Sequence, residues 1–202
     1  TLRSAIDWSW QLLQDWERAA LSQCAVFEGG FFMESAEAVI DLSEYPQAPW
    51  VMDVIGALLD KSLLQTGAVP GVPDAPRFSM FRPIQNFARE VLDTDPDRAA
   101  SCRWRHACHF AYHGSDTALK ALHVKGGIQR SRRYQADLNN LVAATEHSIV
   151  IGESAVAARA CRAAMRVLQR TGPLIMAVDL VETVLALPDL AAAHRARMLI
   201  EQ

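Results

Sequence analysis

Residues 50–92 read WVMDVIGALLDKSLLQTGAVPGVPDAPRFSMFRPIQNFAREVL, and the fold turns on the change of pattern inside them. Val51, Val54, Ile55, Leu58 and Leu59 recur at helical spacing, one face of a helix over 50–60. Ser62 to Thr66 is short and can alternate. Gly67 to Pro76 holds two glycines and three prolines, which predicts a hairpin loop. Over Arg77 to Phe81, Phe78 and Met80 fall on one side and Ser79 on the other, the period of a strand. Pro83 suits the first helical position, so a further helix is expected to run to about Leu92. The expected order is helix, two-stranded hairpin, helix.

Toward the N-terminus, Leu2, Ile6, Trp10 and Leu13 share one face of a helix over 2–13. Trp16, Ala20, Leu21 and Cys24 continue in a second helix over 16–26, which stops at Glu28-Gly29-Gly30. A third helix is expected over 33–42 around Ala36, Val39 and Ile40, followed by a loop from Ser43 to Pro49. Toward the C-terminus, Asp95-Pro96 caps and opens a new helix. Helices are expected near 96–113, 116–123, 131–150, 154–171, 173–186 and 189–201. Gly114, Gly126-Gly127, Gly152, Gly172-Pro173 and Pro188 separate them. The predicted fold class is mainly α. It comprises a winged helix-turn-helix domain with a small β-hairpin over 1–95, then a tetratricopeptide-like helical array over 96–202. The array reading rests on helix lengths and short Gly/Pro turns, because no regular repeat is visible.

Charge supports a boundary near Asp95. Residues 1–95 hold 6 Lys and Arg against 14 Asp and Glu, a net of −8, and the remainder holds 14 against 9, a net of +5. Half the residues are apolar, which suits a globular chain rather than a disordered one. No run approaches the ~20 apolar residues of a membrane span, and no signal peptide is visible. The spacings of Cys24, Cys102, Cys108 and Cys161 fit no zinc or redox pattern. Buried, reduced thiols and a cytoplasmic location are therefore expected. The chain opens on Thr1 without Met and closes inside a helical pattern at Arg197–Gln202, the expectation being an interior piece of a longer protein.

Several stretches carry a family resemblance: TLRSAIDWSWQLL, an ERAAL segment, CAVFEGGFFMESAEAV, VIGALLDKSLL, RFSMFRPIQNFAREVL, RHACHF and ADLNNLVAATEHSI. In this order they resemble the region after the nucleotide-binding domain of bacterial STAND-type signalling ATPases, many of them transcriptional regulators. The motifs cover residues 1–113, with one more at 136–149. That family's order is P-loop core, winged helix, then helical repeats. The resemblance implies a switch held closed by ADP and opened by an inducer and ATP exchange, with the winged helix as lever. ATP or ADP would then belong to the parent protein and no cofactor to this chain. The implied partners are the upstream nucleotide-binding domain and a protein or small-molecule inducer on the repeats. Some relatives read the nucleotide phosphate with Met-His-Asp in the second wing strand. Here the matching stretch is Met80-Phe81-Arg82, and Phe81 cannot bind a phosphate. Arg82 stands where a guanidinium can either reach a nucleotide phosphate or pair with an acidic neighbour.

No GxxxxGK[ST] occurs, and no catalytic constellation has a supporting motif, so the chain is not expected to be an enzyme. A helix-turn-helix module reads DNA with cations and amides on its second helix. Residues 50–60 offer Asp53 and Asp60, with Lys61 only at the end, so direct DNA binding is not expected. The alternative is a freestanding DNA-binding winged-helix regulator with a helical dimerisation domain. Cys102, His106, His109 and His113 share one helical stripe, for which packing is expected rather than a metal. Arg130, Arg132 and Arg133, with Arg159, Arg162, Arg166 and Arg170, form the basic feature of the second half. The last four lie on one helix face and are the candidate partner-binding residues, against a solvated face as the plain reading. Trp8 and Trp10 lie two apart and cannot both face one core, so one of them is expected to pack on a neighbour outside this segment.

Overall fold

The computed structural model describes residues 2–200. It is mainly helical with a small antiparallel β unit. The chain divides into two compact units: the residues up to Val69 with Pro73–Arg105, and Pro70–Val72 with the residues from His106 on.

In the first unit, α1 (Leu2–Gln11), α2 (Asp15–Cys24), α3 (Met33–Val39) and α4 (Val51–Asp60) precede a hairpin of β1 (Gln65–Val69) and β2 (Val72–Ser79). Helix α5 (Arg82–Leu92) follows. Helix α2 is the centre: α4 and α5 pack on it, α3 packs on α4, and α1 on α5. Its sequence explains this role, since Ala19, Ala20, Leu21 and Cys24 present a small, almost fully buried face. Of the stripe read on α1, Ile6 and Leu13 are buried and Trp10 packs edge-on to Phe87 at 5.4 Å. The side chain of Leu2 lies outside the described residues. Trp8 is 64% exposed, so the two tryptophans do face different surroundings.

The hairpin differs from its sequence reading. Ser62 to Leu64 does not start a strand, because Leu63 and Leu64 turn their amides back to the Leu58 carbonyl and close off α4. The stretch expected as a loop is mostly strand, with its turn only at Pro70-Gly71. Gly71 takes φ +76°, which a turn this tight requires and which an L side chain resists. The prolines at 73 and 76 are tolerated because β2 pairs with a partner strand on one side there. Farther along, Phe78 pairs instead with Phe31, and each amide reaches the other's carbonyl at 2.8 Å. Phe27, Phe31 and Phe78 stack behind this bridge.

The second unit takes in the later part of α6 (Pro96–Tyr112), α7 (Asp116–Lys120) with a 3-10 turn over Ala121–His123, α8 (Gly127–Ala136), α9 (Leu138–Val150), α10 (Ser154–Thr171), α11 (Leu174–Leu185) and α12 (Ala192–Ile200). The single helix expected over 131–150 is two helices. The break falls at Asp137, which is 2% exposed, and Asn140 Nδ2 donates to its carboxylate at 3.4 Å. Asp favours helix ends because its side chain competes for backbone groups. The last helix stops at Ile200, and residue 201 of its expected span lies outside the described residues. Helix α10 is the axis of this unit, with α8, α9, α11 and α12 against it. Its alanines at 157, 158, 160, 163 and 164 are fully buried and let neighbouring backbones come close. Gly114 uses this closeness, since a Cβ there would sit 1.7 Å from the Arg159 carbonyl oxygen.

Three cysteines are buried, as their sequence surroundings suggested, and burial raises the Cys102 thiol to about 11 and the Cys161 thiol to about 12. Cys108 departs from the expectation and is exposed.

Candidate functional site

Three features could carry function: the outer face of α4, the start of α5, and the arginines of α10. The outer face of α4 is apolar and acidic. Trp50, its N-cap, is 83% exposed and Met52 56%, beside exposed Asp53 and Asp60. Lys61, at the helix end, is held elsewhere. Its Nζ donates to both Glu17 carboxylate oxygens, at 2.5 and 2.6 Å. Glu17 is buried on α2 and also accepts the Gln14 amide at 2.8 Å, completing a capping box. This cation therefore neutralises a buried acid.

Arg82 opens α5 and is exposed, next to Phe81, which caps the helix and is 55% exposed. It makes no ion pair with a described carboxylate. The acidic pairing left open by the sequence is thus absent among the described residues.

The arginine stripe of α10 splits into different roles. Arg162 is 4% exposed and Nη1 donates to the Gly114 carbonyl and to Asp116 Oδ1, each at 2.9 Å. Its guanidinium closes the end of α6 and the start of α7 together. The hydrogen bond from Arg162 holds the Asp116 carboxyl below the usual range, and Arg197 adds a second ion pair at 3.2 Å. Arg162 is thus a packing residue and presents no charge outward. Arg159 is half-buried and turns its Nε toward the Ala155 carbonyl at 3.3 Å, within its own helix. Arg166 and Arg170, one turn apart, line a cavity of about 330 Å³ together with Arg132 of α8. Leu122, Ile128 and Val167 supply apolar wall, and among the described residues no carboxylate lines the cavity. The sequence showed Arg132 as part of a basic run. Its convergence with α10 depends on the break at Asp137, which the helical pattern over 131–150 concealed.

The His and Cys stripe of α6 is packing. His106 is 4% exposed, with Nε2 at 3.3 Å from Asn140 Oδ1, and burial pulls its pKa down to about 4. His109 and His113 lie against the Phe110 ring. Among the described residues, no three His, Cys, Asp or Glu side chains gather as metal ligands. No described helix is long and apolar enough to cross a membrane.

No family model matches the chain, and no solved structure matches it. It is 30% identical over 148 residues, 71% of its length, to proteins provisionally named HTH-type transcriptional regulators. These come from Mycobacterium bovis and from two strains of Mycobacterium tuberculosis. The chain spans about 15% of the length of these relatives, so its similarity is to one segment of much larger proteins.

Proposed function

We propose that this chain is a regulatory and scaffolding segment of a larger signal-transduction ATPase that acts in transcription. In this reading residues 1–95 form a winged-helix module and residues 96–202 begin a tetratricopeptide-like array. The segment couples the nucleotide state of an upstream P-loop domain to a ligand or protein partner on the array. ATP and ADP belong to that upstream domain, this segment performs no catalysis itself, and the whole works in the cytoplasm. Similarity to a small part of long transcriptional regulators supports the transcriptional side of the reading, and the order of the resembling motifs in residues 1–113 supports the rest.

The observation that carries it is the outer face of α4. A helix that reads DNA needs cations free to reach phosphates and donors aimed at base edges. Here Trp50, Met52 and Asp53 are exposed, and Lys61 is bound to Glu17. Exposed large apolar side chains beside acids suit packing against protein. By the same logic exposed Arg82 and Phe81 are the contact toward the nucleotide domain, with Arg82 the candidate for a phosphate.

Fluorescence anisotropy with labelled duplex DNA tests this on the chain itself. At physiological salt, affinity is expected to be no better than weak non-specific binding, with Kd above about 10 μM. Sub-micromolar, salt-sensitive binding would instead establish the freestanding DNA-binding regulator.

A further inference from the structure

The cavity between α8 and α10 has the composition of a ligand site rather than a packing defect. At about 330 Å³ it falls at the lower end of the range of small-molecule pockets, roughly 300–1,000 Å³. Its wall is divided. Leu122, Ile128 and Val167 make an apolar side, and the Tyr134 ring adds a flat surface. Arg132, Arg166 and Arg170 make a cationic side.

Arg132 and Arg170 are exposed cations at one small cavity, and like charges repel unless an anion sits near them. Among the described residues no Asp or Glu lines the cavity. Arg132 and Arg170 make no ion pair with a described carboxylate. Arg170 is oriented by Nη1 donating to Ser131 Oγ at 3.2 Å, which leaves its other donors available. A guanidinium fork is shaped to take a carboxylate, sulfonate or phosphate through two parallel hydrogen bonds. Contrast Arg162 on the same helix, whose guanidinium is occupied by Asp116 and the Gly114 carbonyl.

We propose that this cavity is a binding site for a small organic anion with an apolar body, the anionic head between Arg132 and Arg170 and the body against Leu122, Ile128 and Val167. An extended acidic peptide fits less well, because the site is a cavity of limited volume rather than a long groove. The inference rests on the helical unit alone and stands apart from the ATPase reading.

A pair of fluorescent probes tests it on the whole chain. Anilinonaphthalene sulfonate and the uncharged phenylnaphthylamine share a ring system and differ by the sulfonate. The sulfonate is expected to bind saturably at one site. Arg132→Gln with Arg170→Gln should weaken it about tenfold or more, the loss of charge-assisted hydrogen bonds, and leave the neutral probe nearly unchanged. Both arginines are exposed, so circular dichroism and the melting temperature should match the parent. Raising salt from about 0.05 M to about 0.5 M should weaken the sulfonate and spare the neutral probe, which tests the charge term without any substitution. The proposal is overturned if the sulfonate does not saturate. It is equally overturned if the folded double variant binds it as the parent does, or if both probes weaken together.

Discussion

Phe31→Ala is expected to destabilise the first unit by about 4 kcal/mol. Phe31 is 1% exposed and lies at the join between α2 and α3. Its ring stacks on Phe27 at 4.4 Å and on Phe78 at 5.7 Å. Its backbone holds β2 through two hydrogen bonds of 2.8 Å. Truncation removes the transfer free energy of a phenyl ring and leaves a cavity between a helix layer and a strand that cannot both collapse onto it. The backbone bridge survives the substitution, so the loss reports packing alone. For a unit of this size the expected fall in melting temperature is roughly 20 °C, read by the near-ultraviolet signal of the tryptophans, four of which lie before residue 95. Phe31→Leu, which refills most of the space, should recover more than half of the loss. An effect below about 1 kcal/mol for the alanine variant would show that this aromatic layer does not hold the hairpin.

Acid should weaken the helical unit well before its carboxylates titrate. His106 is buried against Asn140, with His109 and His147 nearby, and burial lowers its pKa from 6.5 to about 4. The folded unit therefore refuses a proton that the unfolded chain accepts below pH 6.5. Stability contributed by the neutral ring is intact above pH 6.5 and falls as pH drops toward about 4, by up to about 3 kcal/mol. His113 contributes in the same direction, its pKa also lowered mainly by burial. Urea denaturation at pH 7.5, 6 and 5 measures the slope. His106→Gln keeps a polar group beside Asn140 and removes the titration, so its slope should be markedly smaller, with the remainder due to His113 and to His194, whose pKa burial also lowers. Equal slopes in parent and variant would place the acid sensitivity elsewhere.

The parts of the fold that were legible in the sequence are those where one signal was uncontested. The apolar period of Val51 to Leu59 gave α4, and Pro83 with the following amphipathic run gave α5 to Leu92, because nothing competed with those patterns. The hairpin was misjudged because Gly and Pro between 67 and 76 read as loop. A hairpin paired on one side tolerates those prolines, and only Gly71 was needed for the turn. The split at Asp137 was hidden because the apolar period continues through it. Only the Asp with Asn140 three residues on hinted at an end. Site legibility followed the same rule. The arginine period on α10 was plain. Which arginine would be buried was not, because Arg162 is fixed by Gly114 and Asp116 from about 46 residues away. Likewise a lysine after an acidic helix says nothing about Glu17, 44 positions earlier, which removes it from the surface.

The measurement closest to the central claim is hydrogen exchange on the full-length protein that contains this chain, loaded in turn with ADP and with a non-hydrolysable ATP analogue. A segment that transmits nucleotide state must differ between the two states where it meets the nucleotide domain. Exchange is predicted to change in the peptides carrying Trp50 to Asp60 and Phe81 to Arg89, whose outer side chains are exposed in the segment described here. Nucleotide binding that leaves those peptides unaltered, or a full-length protein that binds neither nucleotide, would contradict the account.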